Sequence, residues 1–230
     1  MTIKGRRTVI IIAVVIVLLI ISILVSRHIS TTTRNYSSHQ VFNVTSHYDY
    51  AVSGDLNGLV SFADYIVTGH YDKFQESWNM GEDYYSDVYQ FVIDEVNYGD
   101  VTGTISVAIP HYQQLSKLVD GQLYTSNIDL PNYTQPSIGQ KYVLFLKKYE
   151  PKNIFTPAAV PFQIEIDPSS VSKLKYTTKI SNKEVKTKSG DTIIFSSEAV
   201  DIASIDKISG LSDQDLKQQI SNAVKSKKSK

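Results

Sequence analysis

Histidine and aspartate residues separated by one tyrosine are the part of this sequence best suited to acid–base or metal chemistry. The triplet His-Tyr-Asp occurs at His47–Asp49 and at His70–Asp72, and His111 is also followed by a tyrosine. Neutral imidazole and carboxylate groups bind zinc, and a histidine beside a carboxylate is a common general base. One hypothesis is therefore an envelope hydrolase or metal-dependent enzyme that uses His70, Asp72 and His111.

The spacing favours the simpler interpretation, that these side chains are solvated. Helical zinc proteases place two histidines four residues apart on one helix, and that spacing is absent here. Tyrosine occurs 15 times, so the triplet recurs easily by chance, and cysteine does not occur at all. The sequence also has no nucleophile elbow, phosphate-binding loop, dinucleotide fingerprint or calcium loop. We therefore expect a non-catalytic protein with no cofactor and no metal.

An acidic and aromatic segment is the better candidate for binding. Residues 81–87 read Gly-Glu-Asp-Tyr-Tyr-Ser-Asp and follow shortly after the single tryptophan. Aromatic rings offer rigid faces that stack on sugars or peptides, and carboxylates accept hydrogen bonds from their hydroxyl or amide groups. The segment predicts a ligand site made by Trp78, Tyr84, Tyr85 and Asp87. The alternative is a hairpin loop whose aromatic side chains cover one end of the domain.

Lysines near residues 173–188 define a second candidate surface. Lys173, Lys175 and Lys179 alternate with less polar residues, as expected for one face of a strand. Such a row attracts polyanions such as wall polymers or anionic lipid headgroups. The interpretation that we favour is edge-strand protection, in which lysines prevent pairing with another chain.

The charges balance overall, with 23 basic and 23 acidic residues, but they are segregated. Residues 1–28 carry a net charge of +4, residues 29–170 carry −9, and residues 171–230 carry +5. Phosphate backbones are bound by clustered lysine and arginine, so the acidic middle of the chain argues against nucleic acid as a partner.

An apolar run near the start predicts a membrane helix. Residues 8–25 contain only two polar side chains, and about 1.5 Å per residue makes a helix of this length span roughly 27 Å, close to a bilayer core. Three basic residues precede the run and one arginine follows it, which favours a cytoplasmic N-terminus and an extracytoplasmic remainder. The alternative is a cleaved signal peptide, whose apolar region is usually shorter. Export without cysteines favours a Gram-positive cell membrane protein over a eukaryotic ectodomain.

Composition divides the chain into five segments. Residues 1–7 are the predicted cytoplasmic N-terminus and 8–25 the transmembrane helix, or signal anchor. Residues 26–52, rich in serine, threonine and asparagine, read as an extracytoplasmic stalk. Residues 53–210 form a β-rich extracytoplasmic domain. Residues 211–230 form a C-terminal helix with a basic tail, in which one narrow apolar stripe docks weakly or not at all.

Short apolar and alternating runs make the fold class mainly β. A short helix is expected at 55–64, with strands at 65–71, 85–96, 104–109, 142–146 and 160–166, a lysine-bearing hairpin at 173–180 that turns at 181–183, and a last strand at 192–196. Gly69 marks a bulge or bend, and Pro110 is expected to end its strand. Nearly continuous apolar strands, as at 85–96, are buried on both faces. They favour a small OB-like β-barrel or sandwich.

Three segments carry a resemblance to known domains. Residues 62–70 read Phe-Ala-Asp-Tyr-Ile-Val-Thr-Gly-His, residues 94–100 read Asp-Glu-Val-Asn-Tyr-Gly-Asp, and residues 138–146 read Ile-Gly-Gln-Lys-Tyr-Val-Leu-Phe-Leu. Their order resembles an uncharacterised extracytoplasmic domain of Gram-positive membrane-anchored proteins and lipoproteins, and the OB-like netrin and metalloproteinase-inhibitor modules. The resemblance covers about 60–166 and implies a barrel. It carries no site residues, because the zinc-binding cysteine of the inhibitor modules is missing.

These observations predict a single-pass envelope protein whose extracytoplasmic β-domain binds a partner. The expected partners are the membrane itself and an envelope protein, a peptide or an anionic wall polymer. Besides the enzyme hypothesis, regulation of a neighbouring membrane protein through the stalk and anchor is an alternative.

Overall fold

The computed structural model describes residues 39–47, 49–81, 83–131, 133–198 and 200–229. Strands account for 52% of these residues and helices for 14%, so the predicted mainly-β class is confirmed. Within these ranges no helix is both long enough and apolar enough to cross a membrane. The predicted membrane helix at 8–25 lies outside the described residues, as does most of the predicted stalk.

Eleven strands, two α-helices and one short 3₁₀ helix occur in the described part of the chain. The strands are β1 (Val41–Ser46), β2 (Tyr65–Gly81), β3 (Tyr84–Tyr98), β4 (Thr104–Val119), β5 (Gln122–Asp129), β6 (Lys141–Tyr149), β7 (Ile154–Pro157), β8 (Gln163–Ile166), β9 (Ser172–Leu174), β10 (Asn182–Lys186) and β11 (Thr192–Ser197). The helices are α1 (Leu56–Phe62) and α2 (Asp213–Lys228), and the 3₁₀ turn is Glu150–Lys152.

The larger sheet closes on itself as a ring of five strands. The pairing order is β2, β3, β4, β7 and β6, and β6 pairs back to the first part of β2. All of these pairs are antiparallel except β4 with β7, which is parallel and consists of the single pair Val107 and Phe155. Strands β8 and β9 extend the sheet from β6, and β5 pairs with the far half of β4.

Strand β6 supplies two cores, one on each face of the ring wall. Successive side chains of a strand point to opposite faces, and the residues from Tyr142 to Leu146 are all buried. Tyr142, Leu144 and Leu146 belong to the core inside the ring, where aromatic side chains pack edge to face. Val143 and Phe145 belong to the outer core beneath the two helices. The continuous apolar run therefore has the two-sided burial that the sequence predicted.

The outer core holds both helices against the sheet. Asp55 caps α1 by accepting from the Gly58 amide at 2.9 Å, and Ser212 caps α2 by accepting from the Asp215 amide at 3.1 Å. Near the end of α2, the Lys227 ammonium donates to backbone carbonyls that end α1, including that of Val60 at 3.0 Å. Lys227 of α2 thus supplies a hydrogen-bond donor to carbonyl groups at the C-terminal end of α1.

The prediction that α2 docks weakly is corrected by its packing. Its buried residues are Leu216, Ile220, Ala223 and Val224. The alanine widens the apolar stripe beyond the three residues that the sequence pattern identified. The stripe packs on α1 and on the outer face of the sheet, partners that are distant in sequence.

A second sheet of three strands packs on the β4–β5 hairpin. Strand β11 lies between β1, which is parallel to it, and β10, which is antiparallel. Phe42 and Val44 of β1 face the core that Ile193 and Phe195 share with the hairpin. The compact unit Gln40–Lys230 therefore includes residues of the segment 26–52 predicted as a stalk. The alternation of β1 was missed because it is short: its apolar residues that face the core are Phe42 and Val44, and they stand in a polar segment.

Other sequence predictions have mixed outcomes. Gly69 lies at a register shift between β2 and β3, as expected, and an added Cβ would meet the Val92 carbonyl oxygen. Pro110 does not end β4, which continues through the proline at a shift in its register with β3.

The predicted lysine-bearing hairpin at 173–180 does not form. The short strand β9 and irregular backbone occupy these residues, and the expected turn at 181–183 overlaps the start of β10.

The packing of α2 gives a stability prediction. Replacing Leu216, which is fully buried, by alanine should lower the free energy of unfolding by about 2–4 kcal/mol, because a cavity opens in the outer core. The exposed neighbour control Gln219→Ala should change it by less than about 0.5 kcal/mol. Urea unfolding of both variants tests this, and equal small effects would show that the helix does not dock.

Candidate functional site

An apolar cleft of about 500 Å³ lies beside the seam where β4 meets β7. This volume is within the range of small-molecule sites. Its walls come from the segment before α1, the tip of β2, the middle of β4, the segment after β5, the end of β6, strand β7 and the segment that leads into β8. The lining residues are Asp49, Tyr50, Ala51, Met80, Ile109, Pro110, Leu130, Pro131, Tyr133, Lys147, Tyr149, Thr156, Pro157, Ala158, Ala159, Val160, Pro161, Phe162, Gln163 and Lys175.

The wall after β7 is built from the sequence Pro-Ala-Ala-Val-Pro at 157–161. Proline has no amide hydrogen, so this segment cannot continue a regular ladder. Two of its three remaining amides donate to carbonyls within the fold: Ala158 to the Phe145 carbonyl at 3.0 Å, and Val160 to the Ala51 carbonyl at 2.8 Å. The segment therefore presents its carbon surface to the cleft.

A buried carboxylate holds the wall opposite this segment. The Tyr133 hydroxyl donates to Asp87 Oδ2 at 2.8 Å, and the Ser77 hydroxyl donates to Oδ1 at 3.1 Å. His111 Nδ1 lies 2.9 Å from Asp87 Oδ2, an ion-pair distance whose angle is not that of a hydrogen bond. The His111 and Tyr133 rings stack with centroids 3.9 Å apart and an interplanar angle of 14°.

The electrostatics of this cluster keep Tyr133 protonated. Burial raises the pKa of the Tyr133 hydroxyl, and its hydrogen bond to the Asp87 carboxylate raises that pKa further. His111 Nε2 is also 4.0 Å from Asp129 Oδ1, so the imidazole lies between two carboxylates. Asp87, Tyr133 and His111 together tie β3 and β4 to the segment after β5.

A second polar network supports the floor of the cleft. Gln163, which is buried, accepts from the Tyr71 hydroxyl at 3.1 Å and donates to Thr134 Oγ1 at 3.1 Å. Lys175 forms an ion pair of 2.8 Å with Glu165. Burial acts to raise the pKa of Glu165, but hydrogen bonds from Lys175 and a tyrosine hydroxyl outweigh it and hold that pKa below its ordinary value.

The predicted ligand site of the 81–87 segment is divided between two strand faces. The register places Trp78 opposite Ser86 and places Ser77 opposite Asp87, so the tryptophan and the aspartate lie on different faces of the β2–β3 pair. Half-buried Trp78 has the Lys152 ammonium 4.3 Å from its ring centroid.

The two tyrosines of the same prediction lie at the start of β3. Tyr84 is paired with Gly81 at the tip of the β2–β3 hairpin, and Tyr85 stacks on Tyr112 with centroids 4.6 Å apart. None of the four predicted ligand residues lines the cleft itself. Asp87 contacts the lining residue Tyr133, and Trp78 packs on the lining residue Tyr149 with ring centroids 5.6 Å apart.

The predicted polyanion residues do not form one uniform cationic row. Lys173 and Lys179 are exposed, on β9 and in the irregular segment after it. Lys175 is instead engaged by Glu165 and lines the cleft. The positive charge of one of the three lysines is thus balanced within the fold.

The three residues of the enzyme hypothesis do not converge. His70 lies opposite Val92 on β3, and its Nδ1 is 3.7 Å from Asp94 Oδ2, whereas His111 contacts Asp87. At about 3.3 Å per residue, Asp87 and Val92 lie roughly 16 Å apart along the strand. Asp72, two residues after His70, is exposed to solvent. Among the described residues, no group of three or more histidine, aspartate or glutamate side chains is placed to hold a metal ion.

Sequence reasoning missed the cleft as a whole. The repeated proline and alanine of residues 157–161 were an available signal, because such a stretch between two strands cannot pair regularly. The other walls come from segments far apart in sequence, such as Tyr50 and Tyr133. No local pattern indicates that these meet.

Comparisons with known proteins do not assign a function to the cleft. No protein-family model matches the chain, and neither a curated protein nor a solved structure matches it. The lining, volume and charges of the cleft are therefore the observations from which a function is inferred.

The raised pKa of Tyr133 predicts a loss of stability at high pH. The folded protein holds the phenol proton more tightly than the unfolded chain, so this contribution is complete below about pH 10 and is lost as pH rises through the folded-state pKa. In Tyr133→Phe, the fall in unfolding free energy between about pH 9 and pH 11 should be shallower than in the native protein. Urea unfolding across this range measures it, with exposed Tyr149→Phe as the control. If the unfolding free energy of Tyr133→Phe falls with pH as steeply as that of the native protein, Tyr133 is not the source of the pH dependence.

Proposed function

We propose that this chain is a single-pass, membrane-anchored envelope protein whose β-domain binds a ligand without catalysing a reaction. The observation that carries the binding function is the apolar cleft beside the β4–β7 seam, with its volume of about 500 Å³. Cavities of this size lined mainly by apolar and aromatic groups are the usual form of a small-ligand site.

The state of the polar groups around the cleft favours binding over catalysis. A nucleophile or general base must have its reactive atom available to the substrate. Here the Tyr133 hydroxyl bonds to Asp87, the Gln163 amide bonds to Tyr71 and Thr134, and the Lys175 ammonium bonds to Glu165. These groups position the walls, and the surface offered to a ligand consists mainly of carbon.

We also propose that the β-domain has an OB-like fold. Five strands pair in the order β2, β3, β4, β7 and β6 and return to β2, and OB-folds are five-stranded Greek-key barrels. The same fold is implied by the resemblance of residues 60–166 to netrin and inhibitor modules. Protease inhibition does not follow, because the chain has no cysteine to engage zinc.

The membrane part of the proposal depends on the sequence. The apolar run at 8–25 is flanked by three basic residues before it and one arginine after it, which favours a cytoplasmic N-terminus. The absence of cysteine in an exported domain favours a Gram-positive envelope. Envelope proteins, peptides and anionic wall polymers are the partners present there.

Filling the mouth of the cleft tests the binding function. Met80 lines the cleft and is 43% exposed, so Met80→Trp should block entry without disturbing the core. An extract of the source cell envelope should raise the unfolding temperature of the native chain, because a ligand that binds only the folded state stabilises it. Met80→Trp should lose this rise, and Leu118→Trp, at an exposed site outside the cleft lining, should keep it. Equal shifts in the two variants would refute the cleft as the site.

Protease accessibility tests the topology. If the N-terminus is cytoplasmic, protease added to intact cells should digest the domain that follows residue 25, because that part of the chain faces outward. Immunoblotting against the C-terminal helix measures its loss, and a cytoplasmic marker protein provides the control. Digestion only after lysis would overturn the membrane topology.

A further inference from the structure

We propose that the cleft selects a small apolar molecule that carries one anionic group, with the anion at Lys147 and the carbon skeleton against the proline and alanine wall. This inference depends on the binding function proposed above and names its ligand class. It follows from three properties of the lining: the state of its backbone amides, the chemistry of its walls and the charges at its rim.

The backbone of the cleft cannot add a peptide strand. Recognition of an extended peptide at a strand edge needs main-chain donors and acceptors in register. Four of the lining residues are prolines, which have no amide hydrogen. The amides of Ala158, Val160, Leu130 and Tyr133 already donate to carbonyls within the fold. A ligand therefore meets few free donors on these walls.

The walls are suited to a compact hydrocarbon or aromatic body. Alanine and proline present short, rigid side chains, and Phe162 lies beside them at 6% exposure. Two polar side chains of the lining, Gln163 and Tyr133, are hydrogen-bonded to partners within the fold. Burying carbon surface of a ligand here is favourable at about 25 cal/mol per Å², and no polar group of the wall has to lose its partner.

The rim provides one cation for an anionic group. Lys147 lines the cleft, is exposed, and forms no ion pair with any residue that the structure describes. Its neighbour Lys148 is paired with Glu150 at 3.1 Å, and Lys175 is paired with Glu165 at 2.8 Å. The acidic lining residue, Asp49, lies in the segment before α1 and repels an anion. The anionic group of a ligand is therefore expected at Lys147 on β6.

Three naphthalene probes of equal shape test the charge preference. The full chain, held in lipid nanodiscs with empty nanodiscs as the blank, is labelled at alanine methyl groups and titrated with naphthalene-2-sulfonate, naphthalene-2-carboxamide and naphthalen-2-ylmethylammonium. Methyl signals of Ala51, Ala158 and Ala159, which line the cleft, should shift with the sulfonate. The sulfonate should bind more tightly than the amide, and the ammonium most weakly. Octanoate, in a separate arm, distinguishes an acyl chain from a compact ring as the preferred apolar body.

Charge reversal at the rim gives the matched control. Lys147→Glu should weaken sulfonate binding by about five- to tenfold, as expected for a partly exposed charge pair, and should leave amide binding within about twofold. Lys148→Glu should leave both unchanged. Equal affinities for the three probes, or no effect of Lys147→Glu, would overturn the anionic ligand while cleft binding stands. If none of the probes, octanoate included, shifts the cleft methyl groups, both proposals fail.

Discussion

One strand carries the constraint on which the remaining structure depends: β6 must be buried on both of its faces. Its alternate side chains enter two different cores, with Tyr142 and Leu144 inside the ring and Val143 and Phe145 beneath the helices. Because both faces must be removed from water, the chain has to close the ring on one side and place both helices on the other. The caps of the two helices and the Lys227 contact with the end of α1 follow from that second requirement.

The ring is weakest where the cleft lies. Strand β7 joins β4 through the single pair Val107 and Phe155, and beyond it β4 pairs with β5 from Tyr112 onward. Pro110 and Pro157, which follow this pair on the two strands, have no amide hydrogen to extend the ladder. The space that a longer ladder would occupy is lined instead by side chains from Ile109 and the 157–161 segment. The cleft is thus a consequence of incomplete strand pairing, and its apolar character follows from the residues that interrupt the pairing.

Buried polar groups keep this open seam in one shape. A carboxylate in a nonpolar setting is costly unless its oxygens are paired, and Asp87 receives hydrogen bonds from Tyr133 and Ser77 beside the His111 ring. At the floor of the cleft, the buried Gln163 side chain is held in the same way by a hydrogen bond from the Tyr71 hydroxyl. Walls held in place by such hydrogen bonds lower the ordering cost of binding, which is consistent with the proposal that the cleft binds a ligand.

The mainly-β class, four of the five ring strands (β2, β3, β4 and β6), the bulge at Gly69 and the start of α2 at Ser212 could be predicted from the amino-acid sequence, because alternation, glycine and capping residues act over a few positions. Strand β7 was not predicted, because it is only four residues long and ends at a proline. The acidic and aromatic composition of residues 81–87 also predicted that Asp87 binds a ligand together with Trp78. The contact of Asp87 with Tyr133, the strand at 41–46 and the cleft beside 157–161 are visible only in the folded chain. These features depend on contacts between segments that are far apart in the chain, and strand register, which selects the face of each side chain, is set by those contacts rather than by the local pattern.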